Sequence, residues 1–179
     1  MISTIDPNYN IKFYRLGWYG GAGGRQVLAT GQLPGSQQQL CSTIDTSTLL
    51  LECKWTTSYT LAVPYNAADD TDWGSGYYLA KLTGSSGKQS YIPFVVRDDN
   101  QSADFLMQAA VTTYQAYNNW GQETGTYPGK SLYVFNSSAG IKARKVSFNR
   151  PYIDGRGAGQ LFAYEIRTLR FLEREGYSV

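Results

Sequence analysis

Gly76-Tyr77-Tyr78-Leu79-Ala80-Lys81-Leu82 leads into Gly84-Ser85-Ser86-Gly87, and a second run over residues 89–97, rich in Tyr, Ile, Phe and Val, follows. Both runs have strand length, and the aromatic and branched side chains in them suit a pleated surface. The Gly/Ser step between them is a hairpin connection. Working outward, the N-terminal half keeps this grammar. Residues 11–18 read as a strand with bulky groups on both faces, and residues 48–55 and 58–63 read as further strands. In the last of these Tyr59, Leu61 and Val63 alternate with Thr60 and Ala62, as a half-buried strand requires. Short strands with turn signals at this spacing predict a mainly β fold, an immunoglobulin-like β-sandwich over residues 1–99.

Two loops in this half invite other readings. Gly20-Gly21-Ala22-Gly23-Gly24 supplies the backbone freedom of a sharp turn. It lacks the following Lys-Ser/Thr and helix that a phosphate loop needs. Residues 65–75 carry Asp69, Asp70 and Asp72 without the ligand alternation or closing Glu of a calcium loop, so they read as a solvated loop.

The polar break Arg97-Asp98-Asp99-Asn100-Gln101-Ser102 marks the expected domain boundary. Beyond it, over residues 100–179, residues 105–111 form a continuous apolar run, the pattern of a strand buried on both faces of a parallel sheet. Residues 134–138 and 145–148 are weaker extended pieces. Residues 160–174 predict a helix whose apolar face carries Leu161, Phe162, Ile166, Leu169, Phe171 and Leu172. Gly176 stops it, and Tyr177-Ser178-Val179 begins a new strand. A strand, an excursion, a helix and a strand start make one turn of an α/β layer, which cannot stand alone. The second domain is therefore expected to be truncated, or completed by packing on the sandwich or on another chain. A homo-oligomer or partner chain covering the helix face from Leu161 to Leu172 is one way to complete it.

Composition narrows the function. The 179 residues hold 16 basic and 14 acidic side chains, net +2, which gives no pull toward nucleic acid or an anionic membrane. No stretch approaches the roughly 20 apolar residues of a membrane span. Residues 1–9 lack the basic start and apolar run of a secretory signal, and the compartment stays open between cytoplasmic and exported. Cys41 and Cys53 fit no zinc pattern. They are either a disulfide closing about a dozen residues, worth roughly 3 kcal/mol, or two free thiols.

With no histidine, metal or acid–base chemistry must come from Tyr, carboxylates, Cys, Lys or Arg. Thr112-Thr113-Tyr114-Gln115-Ala116-Tyr117-Asn118-Asn119-Trp120-Gly121 and Ser147-Phe148-Asn149-Arg150-Pro151-Tyr152 concentrate such groups. Phenolate suits a hard, oxidised metal such as iron. The competing reading is packing aromatics in a chain with 15 tyrosines.

These two motifs, together with Leu16-Gly17-Trp18-Tyr19-Gly20-Gly21-Ala22-Gly23-Gly24-Arg25, Tyr91-Ile92-Pro93-Phe94-Val95-Val96-Arg97-Asp98-Asp99 and Phe171-Leu172-Glu173-Arg174-Glu175-Gly176-Tyr177, resemble the N,N-dimethylformamidase large (beta) subunit-like family. The match spans nearly the whole chain. The resemblance implies a β-sandwich followed by the first part of a glutamine-amidotransferase-like α/β domain. It implies a mononuclear iron held by two tyrosines and a glutamate, hydrolysing a small N-substituted amide. Carried over by position, the metal ligands are Tyr117 and Tyr152, with Tyr114 as the substitute. Asn118, Asn149 and Arg150 are candidates to orient a ligand or hold the substrate carbonyl. The family's carboxylate lies in a later His-any-Glu-Tyr motif, and this histidine-free chain has no such motif. The chain alone is thus expected to be inactive. Two alternatives stand beside this reading: a binding or assembly module using the sandwich and Tyr-rich loops, and a structural unit that oligomerises through the helix face.

Overall fold

The computed structural model describes residues 1–63, 73–100, 102–121 and 129–179. The acidic loop with Asp69, Asp70 and Asp72 lies outside them. Among the described residues seven strands are seen: β1 (Asn8–Leu16), β2 (Gly24–Ala29), β3 (Leu33–Pro34), β4 (Ser42–Asp45), β5 (Leu50–Glu52), β6 (Gly76–Gly84) and β7 (Gln89–Val96). The main sheet runs β2-β1-β6-β7, with β3 also on β1, and every pairing is antiparallel. β4 and β5 form a separate ribbon. The protein is mainly β, as its N-terminal half leads one to expect.

The hairpin at Gly84-Ser85-Ser86-Gly87 closes as read, with Tyr77 opposite Val95 and Leu79 opposite Pro93. Period-two alternation sorts the strands' side chains onto two faces. Tyr9, Ile11, Phe13, Ala80 and Leu82 meet Tyr59, Leu61, Trp73 and Phe94 on one face. Leu16, Tyr77 and Leu79 face the other way and meet Tyr114, Leu161 and Leu169. β6 is buried on both sides, so it is the centre of the molecule. This second core cluster joins residues from either side of the polar break at 97–102.

The C-terminal helix forms over almost the expected range, but it begins with a π-helical turn, Leu161–Glu165, before continuing as α2 (Ile166–Arg174). Part of its apolar stripe finds cover on the chain's own sheet, where Leu161 and Leu169 are fully buried, while Phe162 and Phe171 stay 39% and 52% exposed. Arg170 and Arg174 lie over the Trp18 ring, and Arg15 pairs with Glu173 at 2.9 Å, tying the helix to the turn after β1. That turn uses its glycines as anticipated, with Gly20, Gly21 and Gly23 at φ of 62°, 98° and 82°.

Several expected strands are absent among the described residues. Residues 105–110 form no regular element, and a short helix, α1 (Val111–Tyr117), follows. Leu106 is 96% exposed, so this run is not buried on both faces. The physical reason is that, among the described residues, no strand lies beside it to accept its backbone. At its start the Phe105 N–H donates to the Ser178 carbonyl at 3.2 Å, and further on Met107, Ala109 and Ala110 pack against the core. Asp104 and Ser178 also exchange bonds. Residues 177–179 therefore lie next to the run without forming a strand. Residues 134–138 and 145–148 are turns and loop, and residues 58–63 pack by their side chains without pairing. Cys41 and Cys53 form a disulfide that closes the β4–β5 ribbon.

Candidate functional site

The two tyrosine motifs come together, and buried polar groups do the joining. The first lies on α1 and its C-terminal end; the second is an irregular loop beneath the disulfide ribbon. Asn118, 1% exposed, reaches both. Its amide donates to Gln115 Oε1 at 3.0 Å and to the Pro151 carbonyl at 2.9 Å. Its Oδ1 accepts the Trp120 and Ile153 N–H groups at 3.2 and 3.1 Å. Arg150, also buried, donates to Gln115 Oε1, the Lys130 carbonyl and the Asn118 carbonyl at 3.3, 3.1 and 2.8 Å. Desolvation lowers its pKa to about 10, opposed by the nearby Tyr152.

The ribbon clamps the second motif from outside. Ser147 Oγ and Asn149 Nδ2 donate to Glu52 Oε1 at 2.7 and 2.9 Å, and these bonds hold the Glu52 carboxyl below its usual range. The Cys53 N–H donates to the Asn149 carbonyl at 2.7 Å. The Asn149 side chain is exposed, unlike those of Asn118 and Arg150.

Among the tyrosines, Tyr114 and Tyr152 meet edge to face with ring centroids 5.9 Å apart. Tyr114 lies against Gly159, where a Cβ would come within 2.8 Å of its ring; φ of +62° there also favours glycine. The Tyr114 hydroxyl is buried and has no well-formed hydrogen bond, although Tyr77 and Glu165 are its neighbours. Tyr77 donates to Glu165 Oε2, and the Ala110 N–H donates to Glu165 Oε1 at 2.8 Å. Burial first, then Glu165, pushes the Tyr77 and Tyr114 phenols well above their ordinary pKa. Burial also raises Tyr152, against the pull of Arg150. Tyr117 has other company: its ring stacks on Tyr133 at 4.4 Å and approaches Phe135, and its bond with Tyr133 raises its pKa.

Tyr77 and Glu165 are participants that the motif reading passes over. A signal for Glu165 existed, because 161, 165 and 169 are spaced by four and share one helical face. A carboxylate between two buried leucines on that face must find donors. Tyr77 likewise alternates with Leu79 on the sheet face that the helix covers.

Among the described residues no group of three or more His, Cys, Asp and Glu gathers as a metal site. Tyr114 and Tyr152 set two partly desolvated phenols in ring contact, the hard-oxygen donor type that iron takes, while both Glu165 oxygens are engaged by Tyr77 and Ala110.

This is a mainly β protein whose sheet positions a buried, tyrosine-rich polar site. The family model described as N,N-dimethylformamidase beta subunit-like, C-terminal, matches residues 10–179, and the chain belongs to that family. Neither a curated protein nor a solved structure matches it.

Proposed function

We propose that this chain belongs to an iron-dependent amide hydrolase, acting on the C–N bond of a small N-substituted amide. We infer further that residues 1–99 are an immunoglobulin-like layer and residues 100–179 the opening of a glutamine-amidotransferase-like α/β layer. The adjacency of residues 104–105 to Ser178 supports the latter, since it sets the start of the 105–110 run beside the segment that follows the C-terminal helix. The observation that carries the functional reading is the contact between Tyr114 and Tyr152, locked by the Asn118 and Arg150 bonds that join the two motifs.

Tyr152 and Tyr114 would hold the iron, because these rings converge while Tyr117 is engaged with Tyr133. A bound ferric ion supplies a Lewis acid that polarises an amide carbonyl. Asn118 spends its donors on Gln115 and the Pro151 carbonyl, and three Arg150 bonds reach Gln115 and two main-chain carbonyls, so both help to fix where the tyrosines sit. Asn149, exposed on the same loop as Tyr152, gives one amide N–H to Glu52 and keeps the other to meet a substrate carbonyl. The chain by itself is inactive, because it lacks the carboxylate of a His-any-Glu-Tyr motif.

Ferric titration of the purified chain, followed by visible absorbance and elemental analysis, tests this. A tyrosinate charge-transfer band that weakens in Tyr114→Phe and in Tyr152→Phe, but not in Tyr117→Phe, is expected. A colourless protein refutes the ligand assignment, and release of dimethylamine from dimethylformamide by this chain alone refutes its inactivity.

One observation favours a second reading, a binding or assembly module. Phe135 and Tyr164 are 76% and 72% exposed, and Phe135 adjoins the Tyr117–Tyr133 stack, giving the aromatic surface that such modules use.

A further inference from the structure

Arg150 presents a charge that the described residues do not balance. Its residue is 6% exposed, and its three nitrogens donate to a side-chain amide oxygen and two main-chain carbonyls. A guanidinium has five N–H groups, so two remain beyond those three bonds. Among the described residues no carboxylate pairs with it. Lys130, whose carbonyl accepts one of those bonds, is itself buried, and its ammonium donates to the Ser138 and Ile141 carbonyls. Both buried cations are therefore compensated by neutral dipoles alone among the described residues. Buried Lys and Arg are ordinarily ion-paired, because a desolvated charge is costly without a counter-charge. Even with its lowered pKa of about 10, Arg150 stays protonated at neutral pH.

Arg150 also lines a cavity of about 640 Å³ between the N-terminal segment, the start of β7 and the second tyrosine motif. Its walls include Ile2, Trp55, Tyr91, Pro93 and Phe148. This volume is in the range of small-molecule sites, which combine apolar walls with one or two fixed polar groups. The acidic side chain on the lining is Asp6, and its Oδ2 is already engaged by the Ser86 N–H and hydroxyl at 3.3 and 2.8 Å.

We propose that the cavity binds a small monocarboxylate with an apolar body, its carboxylate on the Arg150 guanidinium and its body against the apolar walls. One buried unit of positive charge matches a monoanion, and the planar fork of Arg suits a carboxylate better than a spherical ion. Binding of this kind needs neither iron nor turnover, so it stands or falls apart from the hydrolase reading.

Octanoate and octanol, which differ in charge and share the same tail, are suitable probes in calorimetric titrations. The protein is N-acetylated so that the Met1 amine, also on the lining, carries no charge. Octanoate is expected to bind about tenfold or more tighter than octanol, and Arg150→Met is expected to erase the preference. Equal binding, no binding of octanoate, or a preference that survives in Arg150→Met overturns the proposal. If that variant does not fold, Lys88→Met decides, since Lys88 is the other cationic side chain on the lining. A preference kept in Lys88→Met assigns it to Arg150; a preference lost there assigns it to the rim and overturns the proposal.

Discussion

Asn118→Ala is the sharpest perturbation of the joint between the motifs. The wild-type side chain makes four hydrogen bonds, two as donor and two as acceptor, in a position 1% exposed. At roughly 0.5–1.5 kcal/mol each, with buried partners left unpaired, the loss should be about 3–4 kcal/mol. In urea, where m for a chain of this size is about 2–3 kcal/mol per molar, the midpoint should fall by more than about 1 M at unchanged m. Asn149→Ala is the matched control. Its side chain is exposed and bonds only Glu52 among the described residues, so it should cost under about 1 kcal/mol. The two variants remove the same chemical group from the two neighbouring motifs, so only burial and bond count separate them. Equal midpoint shifts for the two would show that Asn118 does not staple the loops.

Other outcomes follow from single contacts. Reducing the Cys41–Cys53 disulfide should cost roughly 3 kcal/mol in urea melts and alter the fluorescence of Trp55 and Trp120, which pack against it; unchanged melts would count against its role in clamping the second motif. Glu173→Ala removes the partner of Arg15 and the acceptor of the Trp18 N–H, and with side chains 18% and 14% exposed the loss should be roughly 2 kcal/mol by thermal or urea unfolding. Asp45 is held down to about pKa 2, chiefly by the Thr48 hydroxyl and then by Ser47. Its stabilisation is therefore present above pH 4 and lost as the pH falls toward 2, so the gap between wild type and Asp45→Asn should close across that window. A gap that stays constant from pH 7 to pH 2 would refute the assignment.

The amino-acid order settled the local matters. The β6–β7 hairpin, the glycine turn after β1 and the extent of the C-terminal helix were legible because each depends on periodicity or on backbone freedom within a few residues. The family was legible too, through long strings in order. What pairs with what was not. Residues 105–110 have the composition of a buried strand, yet a strand exists only where another backbone accepts its hydrogen bonds, and no local pattern reports that. Tyr114, Tyr117 and Tyr152 are chemically equivalent on paper. Only the packing of α1 against Gly159 and the sheet turned Tyr114 toward Tyr152 and left Tyr117 on Tyr133. Glu165 joined Tyr77 across 88 residues for the same reason: burial removes water as a partner, and each polar group must then take whichever donor the folded chain brings near.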